Sequence, residues 1–191
     1  MTDQPRQTAA ATRLFPGWHW AALALAIPVA GLIGWVVSGP VDAPVAALIG
    51  GVLTGAGLGA AQWFLAKDAF GDGRAWITTS AISYGAGLVV AAAAVGYNTD
   101  LGSLMAMGAI SGLFLGIGQG LALVQQGRKR LAFAWAAAMP FLLALGWAAS
   151  TGIGVDVAEQ FTVFGAAGAI VFTLLSGFLV ARFAPITSAA A

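Results

Sequence analysis

The sequence predicts an all-α membrane protein: six transmembrane helices arranged as three tandem helical hairpins in a pseudo-threefold bundle. Three observations predict it. The 191-residue chain is 60% hydrophobic and only 8% charged, whereas a soluble domain carries roughly 25% charged residues. Six apolar runs, each near the roughly 20 residues that cross a 30 Å hydrocarbon core, punctuate the chain. A pattern of glycines and one amide recurs with a period of about 57 residues. A chain this poor in charge cannot cover its surface in water, so a soluble enzyme is excluded. The runs are too long and too unalternating for the strands of a membrane barrel.

The first span covers 18–37. Its apolar run exceeds that of a signal peptide, and no clear A-x-A cleavage site follows it, so it is expected to be retained. The remaining spans cover 45–66, 76–95, 104–124, 133–153 and 161–181. None has a charged residue in its middle. They form one domain over 17–183, with repeats at about 17–73, 74–131 and 132–183. Tails at 1–16 and 184–191 flank it.

Charge sets the orientation. With six spans, Arg6, Arg13, Lys67, Arg74, Arg128, Lys129, Arg130 and Arg182 all fall on one side, and these are the eight basic residues of the chain. The opposite side holds Asp42, Asp100, Asp156 and Glu159. The positive-inside rule places both tails in the cytoplasm, and the heavy use of alanine and glycine points to a bacterial inner membrane. Trp18, Trp20, Trp63, Trp76 and Trp135 fall near the basic ends of spans, where an indole suits the membrane interface. His19 reads as a solvated anchor beside them rather than a proton relay.

The repeat is clearest in the even spans. Gly51, Gly55 and Gly59 recur as Gly108, Gly112 and Gly116, then as Gly165, Ala169 and Thr173. Gln62 recurs as Gln119 and then Ser176. Each set lies on one helix stripe. Small residues there let a neighbouring backbone approach, a principal source of helix association in lipid. Gln62, Gln119 and Ser176 form a candidate polar cluster, read as interhelical hydrogen bonding before substrate binding. Spans one and five share Pro28/Pro140 and Gly34-Trp35/Gly146-Trp147 at a common offset. Parallel repeats, unlike inverted ones, put a symmetry axis along the membrane normal.

Candidates for chemistry are few. No ionisable group lies inside a span, the usual mark of a proton or ion path. Asp42, Asp100 and Asp156 could ring a vestibule that attracts cations; the favoured reading makes them loop and N-cap residues. The segment 67–74 reads as a turn, since it lacks the ligand order of a calcium loop. Arg128, Lys129 and Arg130 serve as an orientation signal or touch anionic lipid headgroups. Gly55-Ala56-Gly57-Leu58-Gly59 nearly matches a dinucleotide fingerprint, but it lies inside a span rather than between a strand and a helix. With no cysteine and one histidine, a zinc or haem site lacks ligands, and no cofactor is expected.

The Gly55–Gln62 pattern followed by Lys67, Arg74 and Trp76, and the Gly112–Gln119 pattern followed by Arg128 and Trp135, resemble a loose group of uncharacterised bacterial multi-pass membrane proteins. That resemblance implies no activity. Three two-helix repeats are also similar to the mitochondrial carriers, but their Pro-x-Asp/Glu-x-x-Lys/Arg motif is missing. Two functions stay open. One is a structural or accessory membrane protein, not an enzyme, packed within itself and against another membrane protein or a second copy. The other is a small pseudo-threefold channel or uncoupled transporter for a polar solute. Lipid is the expected surrounding partner, and nucleic acid is not expected at net charge +1.

Overall fold

The computed structural model describes residues 18–156 and 158–183. A 3-10 turn, Trp18–Ala22, leads into α1, Leu23–Ser38. Then follow α2, Pro44–Leu65; a single turn, α3, Lys67–Phe70; α4, Gly73–Ala94; α5, Leu101–Gln125; α6, Lys129–Gly152; and α7, Ala166–Phe183. Six helices among the described residues are long and apolar enough to cross a membrane. The expected tails at 1–16 and 184–191, with Arg6 and Arg13, lie outside the described residues, as does the side chain of Trp18.

Local chemistry explains the boundaries. Pro44 opens α2 at a position where its missing N–H costs nothing. Asp72 caps α4 by accepting from the Arg74 amide at 2.9 Å, and Asp100 caps α5 by accepting from the Ser103 amide at 3.0 Å. Gly39 closes α1 at φ +77°, a conformation open to glycine and strained for other residues. Pro28 and Pro140 sit inside α1 and α6, as membrane helices tolerate.

The helices pack in a closed cycle. Helix α1 meets α2, α2 meets α4, α4 meets α5, α5 meets α6, α6 meets α7, and α7 returns to α1. Large apolar side chains such as Leu25, Val36, Phe64, Ile82, Phe133 and Phe141 face outward and are exposed, the pattern of a lipid-facing surface.

Two departures from the sequence expectation matter. The sixth span was expected at 161–181, but α7 begins at Ala166, and 161–165 is not helical. That segment enters the bundle instead. Non-helical backbone at membrane depth persists only where the protein itself satisfies its polar groups. The second departure is 67–74, expected as a plain turn. It contains the helical turn α3, and Phe70 on that turn is fully buried.

Candidate functional site

The interior of the helix cycle is the candidate site, because buried polar side chains collect there. At its basic end stands Phe70. Its ring lies 6.1 Å from Trp20, 4.1 Å from Trp76 and 5.3 Å from Trp135. Trp76 and Trp135 are themselves 5.9 Å apart. These indoles come from the turn leading into α1 and from the first two turns of α4 and α6, three helices that are not neighbours in the cycle, so Phe70 occupies the middle of the ring. Their fully buried positions correct the expectation of interfacial anchors. Trp63 is the exception, half-buried, with its indole N–H donating to the Gly71 carbonyl at 2.8 Å. Gly71 holds φ +67°, which turns that carbonyl back.

Directly beyond the aromatic cluster lies an amide network. Gln119 Nε2 donates to Gln62 Oε1 at 2.9 Å and to Ser80 Oγ at 2.7 Å. Trp135 Nε1 donates to Gln119 Oε1 at 2.6 Å. Ser80 Oγ in turn donates to the Trp76 carbonyl at 2.7 Å. The donor inventory fixes every orientation. An indole can only donate, so the oxygen of Gln119 must face Trp135, and its nitrogen must face Gln62. Gln62 therefore presents its oxygen, and its own Nε2 has no partner among the described residues. Trp76 Nε1 is a second buried donor without one.

The structure thus brings Gln62 and Gln119 together. Ser176 is buried but bonds within its own helix, to the Thr173 carbonyl at 3.4 Å. Ser80 and Trp135 are the members that the sequence did not reveal. The positions of Trp20, Trp76 and Trp135 at the starts of successive odd spans were the available signal.

The acidic half of the interior is filled by 161–165. Thr162 Oγ1 donates to the Gly31 carbonyl at 3.0 Å and shares a hydrogen bond of 2.8 Å with Thr54 Oγ1. Its carbonyl accepts from the Tyr84 hydroxyl at 2.7 Å. Phe164 packs edge-on against Trp147, centroids 6.4 Å apart, and lies 6.1 Å from Phe172. One short segment therefore touches α1, α2, α4, α6 and α7. A void between Val41, Tyr97, Leu104 and Gln160 measures about 10 Å³, room for one water at most.

The glycines face neighbouring helices at close range. A Cβ on Gly51 would lie 2.8 Å from the Cα of Gly85, and one on Gly55 would lie 2.5 Å from the Ser80 carbonyl oxygen. Gly59 abuts Ser80, where a Cβ would come within 2.7 Å. Gly108, Gly112 and Gly116 meet α6 in the same way: a Cβ would lie 2.7 Å from the Leu143 oxygen, 2.5 Å from the Met139 oxygen and 2.9 Å from the Ala136 oxygen. Gly165 differs. It precedes α7, and a Cβ there would meet Val155 at an ordinary 3.4 Å. Gly168 makes the close approach instead, against the Gly146 carbonyl.

The acidic residues stay at the other end. Asp42 is exposed, two residues before α2, and caps nothing, since Ala43 is the N-cap. Asp100 accepts from the Ser103 hydroxyl at 2.5 Å and from its amide; these bonds hold its carboxyl below the usual aspartate range. Asp156 accepts from the Ala158 amide at 3.0 Å in the loop before α7. Among the described residues, no three His, Cys, Asp or Glu side chains gather to hold a metal. No protein-family model, no curated protein and no solved structure matches the chain.

Proposed function

We propose that this protein is a structural or accessory component of a membrane, a closed helix ring that acts by packing rather than by conducting or reacting. The observation that carries this reading is the occupied interior. Phe70 fills the ring from one end and Thr162 with Phe164 fills it from the other. The polar groups between them are engaged mainly with one another, which suits interhelical adhesion.

The same reading takes the glycine stripes as packing surfaces and the 57-residue repeat as real. In support, Gly51, Gly55 and Gly59 face α4, and Gly108, Gly112 and Gly116 face α6, so equivalent stripes meet equivalent successors in the cycle. The charge split supports placing the basic end in the cytoplasm, and the heavy use of alanine and glycine supports a bacterial inner membrane. The outward apolar surface would then meet lipid, a second copy or a larger membrane protein.

The test is reconstitution beside native purification. Sealed vesicles holding the purified protein are expected to leak small polar solutes and ions no faster than protein-free vesicles. A stoichiometric companion or homo-oligomer is expected after mild solubilisation of native membranes. Protein-dependent flux that disappears when Gln62, Gln119 and Ser176 are all replaced by alanine would overturn this reading and establish the channel.

A further inference from the structure

At the basic end, the first turn of α6 and the last turn of α7 enclose an open concavity of about 670 Å³. Gly127, Arg128, Lys129, Arg130 and Leu131 line one side, and Arg182 and Phe183 line the other. Four cationic residues, Arg128, Lys129, Arg130 and Arg182, therefore line it from segments far apart in sequence. Among the described residues, no carboxylate lines the concavity to neutralise them. Arg128 also donates to the Asp68 carbonyl, which leaves Lys129, Arg130 and Arg182 as the cations to test; Lys67, outside the hollow, lies over the rings of Trp63 and Phe64 at 4.8 and 5.4 Å.

We propose that this concavity binds a phosphate group, and that the group is the headgroup of an anionic phospholipid. The clustered cations attract the negative charge of a phosphodiester and supply N–H donors for its acceptor oxygens. The helix adds to this: α6 starts without a side-chain cap, so its first amides and the positive end of its dipole are left for an anion. The apolar surroundings select the lipid source. Phe133, 72% exposed, stands on α6 about one turn below Lys129 and Arg130. Phe178, 54% exposed, stands on α7 about one turn below Arg182. A phospholipid seated in the hollow lays its chains along these faces, which free phosphate cannot use.

The experiment is lipid binding by native mass spectrometry, on the full-length protein in mild detergent. Phosphatidylglycerol and phosphatidylcholine are titrated as probes, with inorganic phosphate as competitor. Phosphatidylglycerol is expected to bind at least tenfold more tightly than phosphatidylcholine. Each single substitution, Lys129→Gln, Arg130→Gln or Arg182→Gln, is expected to weaken it about fivefold, and all three together roughly 100-fold. Arg74→Gln, a charge at the same end that does not line the hollow, controls for bulk electrostatics and leaves binding within twofold. Binding in detergent reads the site independently of membrane orientation. Circular dichroism of each variant checks that the helices are intact. Equal affinity for the two lipids, or equal loss in Arg74→Gln and Arg182→Gln, overturns the proposal. Displacement of phosphatidylglycerol by millimolar phosphate overturns the lipid assignment and makes free phosphate the ligand.

Discussion

Among the described residues, Gln119 makes more interhelical side-chain hydrogen bonds than any other side chain. It accepts from one indole and donates to an amide and a hydroxyl, and it does so from a fully buried position. Its partner Gln62 spends only its oxygen. The two amides look equivalent in sequence and are unequal in the fold. Gln119→Leu strands the Trp135 N–H and leaves Gln62 with no partner. Gln62→Leu removes one bond together with a donor that has no acceptor, and Gln119 keeps Ser80. Buried groups left unpaired cost about 1–3 kcal/mol each, and interhelical bonds in membranes contribute about 0.6 kcal/mol. Gln119→Leu is therefore expected to destabilise by about 1–3 kcal/mol more than Gln62→Leu. The double variant should lose less than the sum of the singles, as coupled neighbours do. Reversible unfolding in bicelles reads both differences; equal losses would mean that the amides act alike.

Among the helices, Gly108, Gly112 and Gly116 of α5 lie against the backbone of α6, and Gly165 has no such neighbour. Backbone oxygens of α6 stand where side chains on α5 would be, so α5 cannot accept a methyl group without moving its neighbour. Gly112→Ala is expected to cost about 1–3 kcal/mol through overpacking. The usual helical gain from alanine, about 1 kcal/mol in water, is largely absent, because a helix separated in lipid keeps its backbone bonds. Gly165→Ala at the aligned position should change stability by less than about 0.5 kcal/mol, the range of substitutions that disturb no packing. A thermal unfolding comparison of the pair checks this, and equal effects would mean that the third copy packs like the others. The first five spans and the Asp100 cap were legible because hydropathy and turn residues act locally. The segment 161–165 was not. Phe-Thr-Val-Phe-Gly is apolar whether it faces lipid or core, and hydropathy carries no direction. The inward turn of Trp20, Trp76 and Trp135 escaped for the same reason: an indole at a helix end reads as an anchor until the helix is rotated into place.

For the whole molecule, the division of charge is the feature that the sequence displayed most openly. Up-and-down connections carry Lys67, Arg74, Arg128, Lys129, Arg130 and Arg182 to one end of the bundle and Asp42, Asp100, Asp156 and Glu159 to the other. Asp68 and Asp72 share the basic end, but they do not reverse its sign. The orientation proposed from the positive-inside rule turns the acidic end away from the cytoplasm. The chain has no cysteine, so single thiols report position cleanly. In intact cells, Asn98→Cys is expected to react with a membrane-impermeant maleimide, while Gln125→Cys reacts only after the membrane is opened. The reverse pattern would invert the assigned orientation. What the charges do not encode is the filling of the ring. That depends on two short segments, α3 and 161–165, whose side chains reach residues distant in sequence.

The aromatic cluster has an optical consequence. Trp76 and Trp135 sit 5.9 Å apart at 62°, with Trp20 reached through the Phe70 ring. Rings that close and that inclined perturb each other's electronic transitions, so Trp76 and Trp135 gain circular dichroism that an isolated indole lacks. The coupling exists only while α1, α4 and α6 hold their places around α3. Near-ultraviolet circular dichroism therefore carries a native signal for the assembled basic end, and the protein reports the closure of its own ring without any added label.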